Sequence, residues 1–137
     1  RREDQGREAN TDYKIVSKLQ ISNSRFKKLI EGSGLGKNRA RYLAAQAIFY
    51  NLVEFYPTTG RTHQIRVHAK SIGHPIVSDL IYSPNKLIKF DLLWCSRLFL
   101  HAAKIEFSDP KTKKTLKFES DLPKELKNVL SSLDQSV

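Results

Sequence analysis

The chain has 137 residues, 39% of them hydrophobic and 28% charged, which fits one folded domain and excludes a wholly disordered segment. Its 24 Lys and Arg residues against 14 Asp and Glu residues give a net charge of +10, which favours a polyanionic partner, above all nucleic acid. A solvated basic surface explains the charge alone equally well. No apolar run approaches the roughly 20 residues that span a bilayer, so we expect a soluble protein without a membrane partner.

The single cysteine, Cys95, cannot form an internal disulfide, so a reducing compartment is expected, either the cytoplasm or the interior of an organelle. Its apolar neighbours favour a buried, inert thiol over a nucleophile. The histidines His63 and His68 would lie about 140° apart around a helix, which does not suit a shared metal ion. The sequence therefore predicts neither a metal site nor a disulfide.

The first elements in chain order are a polar start and a strand. Residues 1–9 are polar and are expected to be mobile. Because the chain begins without Met and in this polar run, we expect it to be a piece of a longer protein. From 11 to 19, side chains of strand-forming type recur at every second position, namely Tyr13, Ile15, Ser17 and Leu19, which predicts a strand.

The next segment gives weaker signals. Apolar positions around Phe26 suggest a short helix, and the glycine-rich stretch 31–38 follows it. No strand precedes that stretch, as a phosphate-cradling turn would require, so a flexible connection is the favoured interpretation. Residues 47–56 are dense in aromatic and β-branched side chains and stop at Pro57, which predicts a buried strand.

A helix over 62–72 is predicted by apolar residues at helical spacing, with a turn and an N-cap in the run 59–62 and a stop at Gly73 and Pro75. Residues 86–94 are ambiguous. Two further strands, 98–107 and 115–118, enclose a lysine-rich turn and predict a hairpin, and a helix is expected over 123–133.

These elements predict an α+β fold. The four strands are expected to form one mixed, mostly antiparallel sheet, with the 62–72 and 123–133 helices packed against it. If strands of a longer protein are absent from the chain, one edge of this sheet would be unpaired. Self-association or poor solubility of the chain is then expected.

One face of the 62–72 helix is basic. His63, Arg66 and Lys70 are spaced at i, i+3 and i+7, so they would share that face. Arg61 lies at the helix start, where free backbone N–H groups and the helix dipole also favour an anion. The pattern indicates a phosphate-facing surface, and the alternative is an ordinary solvated amphipathic helix.

The run Thr59 to His68, which reads Thr-Gly-Arg-Thr-His-Gln-Ile-Arg-Val-His, closely resembles the ribosomal large-subunit family of RNA pseudouridine synthases. The similarity continues through 71–76 and 79–82 and returns at 97–103, 107–110 and 118–126. Together with the strand opening at 8–13 it spans residues 7–127. It is interrupted at 22–41, a stretch that looks like an insertion. The resemblance makes residues 1–137 the C-terminal part of such a catalytic domain.

The resemblance implies an enzyme that isomerises uridine in RNA, with ribosomal RNA the expected partner, and that uses an aspartate without cofactor or metal. Such a site needs a carboxylate, a cation that orients it, and apolar walls around the free base. By the resemblance, Arg66 is the partner of that aspartate, and Leu100 lines the base pocket. The remaining expected site residues lie near the RNA backbone or shape the site: Arg61, His63, Gln64 and Lys70.

The Arg-Leu-Asp block that holds the family's aspartate is absent from residues 1–137, so the chain by itself is expected to be inactive. The first hypothesis is that the chain is a fragment of an active synthase. The second is an RNA-binding remnant that has lost catalysis. The third is a basic structural module that contacts ribosomal or other proteins.

Overall fold

The computed structural model describes residues 9–136, and the expected mobile start lies, apart from Ala9, outside the described residues. Helices and antiparallel strands mix along the chain, in agreement with the predicted α+β class. The elements in chain order are β1 (Thr11–Gln20), α1 (Asn23–Glu31), α2 (Lys37–Gln46), β2 (Phe49–Pro57), α3 (Gln64–Ser71), α4 (Asn85–Trp94), β3 (Lys104–Ser108), β4 (Thr115–Glu119), α5 (Lys124–Ser131) and β5 (Asp134–Gln135).

The strands form two sheets, so the prediction of one four-stranded sheet is wrong. In the first sheet β1 lies between β2 and the short β5, and in the second β3 pairs with β4 as the predicted hairpin. Residues 98–103, which the sequence assigned to a strand, form no ladder. Their backbone groups have other partners, because the Arg97 guanidinium donates to the carbonyls of Leu98 and Leu100, at 3.2 and 3.1 Å.

Three helices meet in the main core. The ambiguous segment 86–94 is the helix α4, and α1 and α2 pack against it. Phe90 is fully buried on α4 and its ring lies 5.3 Å from that of Phe26, while Trp94 meets Tyr50 edge-on at 5.0 Å. The segment 22–41 is thus helical and contributes side chains to this core. Its status as an insertion stays a prediction.

The helix α3 begins later than the sequence suggested. It spans Gln64–Ser71, and its N-cap is His63 with φ 51°, a left-handed conformation, whereas the N-cap was expected within the run 59–62. A non-glycine residue in this region is uncommon and strained unless its surroundings hold it there. His63 is held through its ring, since Nδ1 lies 3.1 Å from the hydroxyl of Tyr82.

A buried carboxylate joins α4 to the turn at Ser78. Asp91 is 5% exposed and its Oδ2 accepts a hydrogen bond from the backbone N–H of Ser78 at 3.1 Å. The Ser78 hydroxyl donates to the carbonyl of Cys95, whose thiol is buried as predicted. Burial raises the pKa of Asp91 to about 6, and only the bond from Ser78 opposes that rise.

Among residues 9–136, no helix is long and apolar enough to cross a membrane.

The raised pKa of Asp91 predicts a pH-dependent stability. Its folded pKa of about 6 exceeds the unfolded value near 4, so the folded state holds an extra proton between these values and stability falls as pH rises through them. Asp91→Asn cannot titrate and should gain about 2 to 3 kcal/mol on the wild type between pH 4 and pH 7. Urea unfolding at both pH values measures this gain. A difference that does not vary with pH would contradict the assignment, and Asp121→Asn, at an exposed position, is the control.

Candidate functional site

The loop before α3, the first turns of α3 and the segment after Arg97 enclose a cleft of about 350 Å³. The lining residues are Pro57, Thr59, Gly60, Arg61, His63, Gln64, Ile65, Arg66, Leu98 and Leu100. All the site residues that the sequence predicted are among them except Lys70. The fold therefore brings Leu100 beside the basic motif, although 33 residues separate it from Arg66 in the chain.

Gln64 fixes the shape of the loop. Its side chain is 6% exposed, and Oε1 accepts hydrogen bonds from the Thr59 hydroxyl at 2.7 Å and the Arg61 backbone N–H at 3.1 Å. Its Nε2 donates to the Asn10 carbonyl and to the Thr11 hydroxyl, both at 2.9 Å. The amide thus connects the loop to β1. Gln64 shapes the site in this structure, and its amide faces protein groups on both sides.

Arg66 and Asp79 form a bidentate ion pair. The Arg66 Nε donates to Asp79 Oδ2 at 2.9 Å and its Nη2 donates to Oδ1 at 2.6 Å, with the arginine side chain 15% exposed and the aspartate side chain at 0%. Burial acts to raise the pKa of Asp79. The hydrogen bonds from Arg66 and from the backbone of Tyr82 and Ile81 outweigh it, so this pKa lies below its usual value.

The arginine is also held by an aromatic ring. The guanidinium carbon of Arg66 lies 5.3 Å from the centre of the Tyr82 ring, a cation–π distance. The same tyrosine meets the His63 ring edge-on at 5.7 Å and bonds it through its hydroxyl. Sequence reasoning gave no role to Asp79 or Tyr82. The signal was present, since both residues lie in the 79–82 block of the motif.

Part of the cleft lining is apolar. Leu98 and Leu100 come from the segment that follows α4, and Pro57 and Ile65 come from β2 and α3. A cation and aliphatic side chains in one cleft suit a planar, uncharged ring next to an anionic group. The part of Leu100 in holding a base stays a prediction, because the cleft shows only where the side chain lies.

Lys70 does not line the cleft. It is exposed in the last turn of α3, while His63 precedes the helix in a left-handed conformation. Arg66 and Lys70 both lie on α3, four residues apart, whereas His63 is the N-cap, so the expected common face of the three stays a prediction. Arg61 is exposed at the entrance to the cleft. In residues 9–136 no three His, Cys, Asp or Glu side chains form a group suited to a metal ion.

Known proteins resemble this chain over nearly its whole length. It is 36% identical over 128 residues to "Ribosomal large subunit pseudouridine synthase C" of Haemophilus influenzae and 38% identical over 125 residues to the protein of that name from Pasteurella multocida. These matches cover 90% and 88% of the chain but only 40% and 38% of the relatives. "Uncharacterized RNA pseudouridine synthase YlyB" of Bacillus subtilis is 38% identical over 72% of the chain and 31% of its own length. No protein-family model matches the chain.

The role of Gln64 as a connector predicts a large effect of its loss on stability. Gln64→Ala removes four internal hydrogen bonds, two within the loop and two that join the loop to Asn10 and Thr11. We expect the free energy of unfolding to fall by about 2 to 3 kcal/mol. The matched control is Gln46→Ala at an exposed position in α2, which should change it by less than about 0.5 kcal/mol. Urea unfolding measures both variants. If both lower the free energy of unfolding by the same small amount, the hydrogen bonds of Gln64 do not hold the loop.

Proposed function

This chain belongs to the RNA pseudouridine synthase family, and we propose that the whole protein isomerises uridine in RNA to pseudouridine, with these residues forming the arginine-bearing side of its site. The chain spans about two fifths of the length of the Haemophilus influenzae and Pasteurella multocida relatives, so other parts of such a protein would complete the site. The observation that supports the proposal is the cleft that Arg66 lines together with aliphatic side chains.

The reaction makes two demands that this cleft suits. The glycosidic bond must break and reform, so a carboxylate has to be held ionised and oriented at the sugar, which a nearby guanidinium achieves. The detached base must turn and be retained, which requires apolar walls. Arg66 is proposed to meet the first demand, and Leu98 and Leu100 the second.

The carboxylate itself is proposed to come from a part of the protein outside residues 1–137. These residues contain no Arg-Leu-Asp block. Asp79 does not suit the role, because it is fully buried and its two oxygens accept four hydrogen bonds. The Nη1 group of Arg66 takes no part in the pair with Asp79 and is the proposed contact for the incoming carboxylate.

Ribosomal RNA is the proposed substrate, because the Haemophilus influenzae and Pasteurella multocida relatives are named ribosomal large subunit pseudouridine synthases. The net charge of +10 supports an extended polyanion. The exposed Arg61 at the entrance of the cleft is proposed to contact phosphate, and His63, next to it, to border the bound nucleotide. These assignments predict that RNA affinity depends on salt.

The role of Arg66 predicts a larger loss of chemistry than of binding. Arg66→Lys keeps the positive charge but loses the planar guanidinium. A lysine ammonium group cannot bind Asp79 at two points and also present a fixed N–H group to the incoming carboxylate. In the full-length protein we expect the single-turnover conversion of uridine to fall on the order of a hundredfold, with RNA affinity within about threefold of the wild type. Labelled RNA and filter binding measure the two quantities. Turnover at the wild-type rate, or a loss that only follows binding, would remove Arg66 from the reaction.

Lys70 gives a separate test of the basic surface. If its ammonium group contacts phosphate outside the cleft, Lys70→Ala should weaken RNA binding and reduce the salt dependence of the affinity by about one charge. Conversion of bound RNA should be unchanged, since Lys70 does not line the cleft. Lys127→Ala, an exposed lysine on α5, is the control. A salt dependence equal to that of the wild type would assign Lys70 to the solvated surface.

A further inference from the structure

Asp79 is fully buried, and its carboxylate accepts hydrogen bonds both from its own turn and from Arg66. Its Oδ1 accepts from the backbone N–H groups of Ile81 and Tyr82, both at 3.0 Å, which holds the carboxylate in its own turn. The same oxygen and Oδ2 accept from the two adjacent nitrogens of Arg66. The carboxylate therefore has one orientation, and it imposes one orientation on the guanidinium.

The turn that holds Asp79 is itself anchored. The preceding residue, Ser78, is 1% exposed with φ 60°, and it is bonded through its backbone to Asp91 and through its hydroxyl to the carbonyl of Cys95. Both partners belong to α4 and its end. The position of the guanidinium on α3 is thus set from the helical core and not from α3 alone.

A gain in stability does not explain well why the charges of Arg66 and Asp79 are buried together. Moving two charges out of water costs several kcal/mol, and an apolar pair of similar volume often stabilises a protein equally well. An apolar pair, however, cannot fix the orientation of a guanidinium. A carboxylate that binds two of its nitrogens does so, and it thereby also sets the direction of the third nitrogen. The Tyr82 ring, 5.3 Å from the guanidinium carbon, restricts the same group from a second side.

We propose that Asp79 is a positioning residue for the isomerisation: by holding Nε and Nη2 of Arg66 it directs Nη1 to the place in the cleft where the catalytic carboxylate binds. The inference rests on the proposed function, since it assumes that Arg66 orients that carboxylate. It adds that the arginine is aligned before substrate arrives, and that a residue without contact to RNA sets the reaction rate.

The test compares two variants of the full-length protein with a matched control. Asp79→Asn keeps the shape but can accept only one of the two bonds from Arg66, and Asp79→Glu keeps both acceptors on a longer arm. The control is Asp109→Asn, a partly exposed aspartate that also accepts a hydrogen bond from a turn N–H, that of Lys111, but lies outside the cleft lining. We expect single-turnover conversion to fall on the order of 10- to 100-fold in Asp79→Asn, with RNA affinity within about threefold. Asp79→Glu should recover part of the rate, and the control should match the wild type.

A second measurement separates the alignment of Arg66 from activity. The Nε–H of Arg66 should exchange slowly with water in the nitrogen-15 spectrum of the wild type and of Asp109→Asn, and at least tenfold faster in Asp79→Asn, because the ionised acceptor is gone. Unchanged exchange, or wild-type turnover in Asp79→Asn, overturns the inference. If Asp79→Asn does not fold, Asp79→Glu provides the test, because its longer side chain displaces the guanidinium of Arg66. A wild-type rate of conversion in that variant would also overturn the inference. A wild-type protein that converts no uridine would refute the proposed function, while the exchange rates would still show whether Asp79 holds Arg66.

Discussion

The buried ion pair between Arg66 and Asp79 connects α3, which lines the cleft, to the turn that precedes α4. Arg66 lies on α3, next to the loop that begins at Pro57, and Asp79 lies in a turn that Ser78 and Asp91 attach to α4. A charge pair of this kind tolerates little displacement, because each partner without the other would be a buried, unpaired charge. The relative positions of α3 and α4 therefore depend on it.

The other side of the cleft depends on neutral hydrogen bonds. Gln64 attaches the 59–61 loop to the start of β1, and the ring nitrogen Nδ1 of His68 lies 2.6 Å from the Thr11 hydroxyl. Both side chains come from α3 and reach the same strand. The basic motif is thus held by an ion pair toward α4 and by amide and hydroxyl contacts toward β1.

Several apolar surfaces remain open in the described residues. On the hairpin, Ile105 opposes Phe118 across the strands, and all of Ile105, Phe107 and Phe118 are at least 45% exposed. On β1, Tyr13 and Ile15 are exposed by 57% and 45%. Contiguous surfaces of this kind are typical of interfaces. They agree with a chain that covers about two fifths of its relatives, and they are the surfaces through which the expected self-association would occur.

The sequence by itself determined the elements whose signals are local. Alternation gave β1, aromatic and β-branched density gave β2, the lysine-rich turn gave the β3–β4 hairpin, and the apolar stripe gave α5. It also identified the motif at 59–68 and hence the family. Only the tertiary structure decided the separation into two sheets, because that depends on whether the carbonyls of Leu98 and Leu100 pair with a strand or with Arg97. It likewise assigned Asp79 to Arg66 and gave His63 its left-handed conformation. The first depends on a contact between residues 13 positions apart and the second on the hydroxyl of Tyr82, and neither helical spacing nor residue type encodes them.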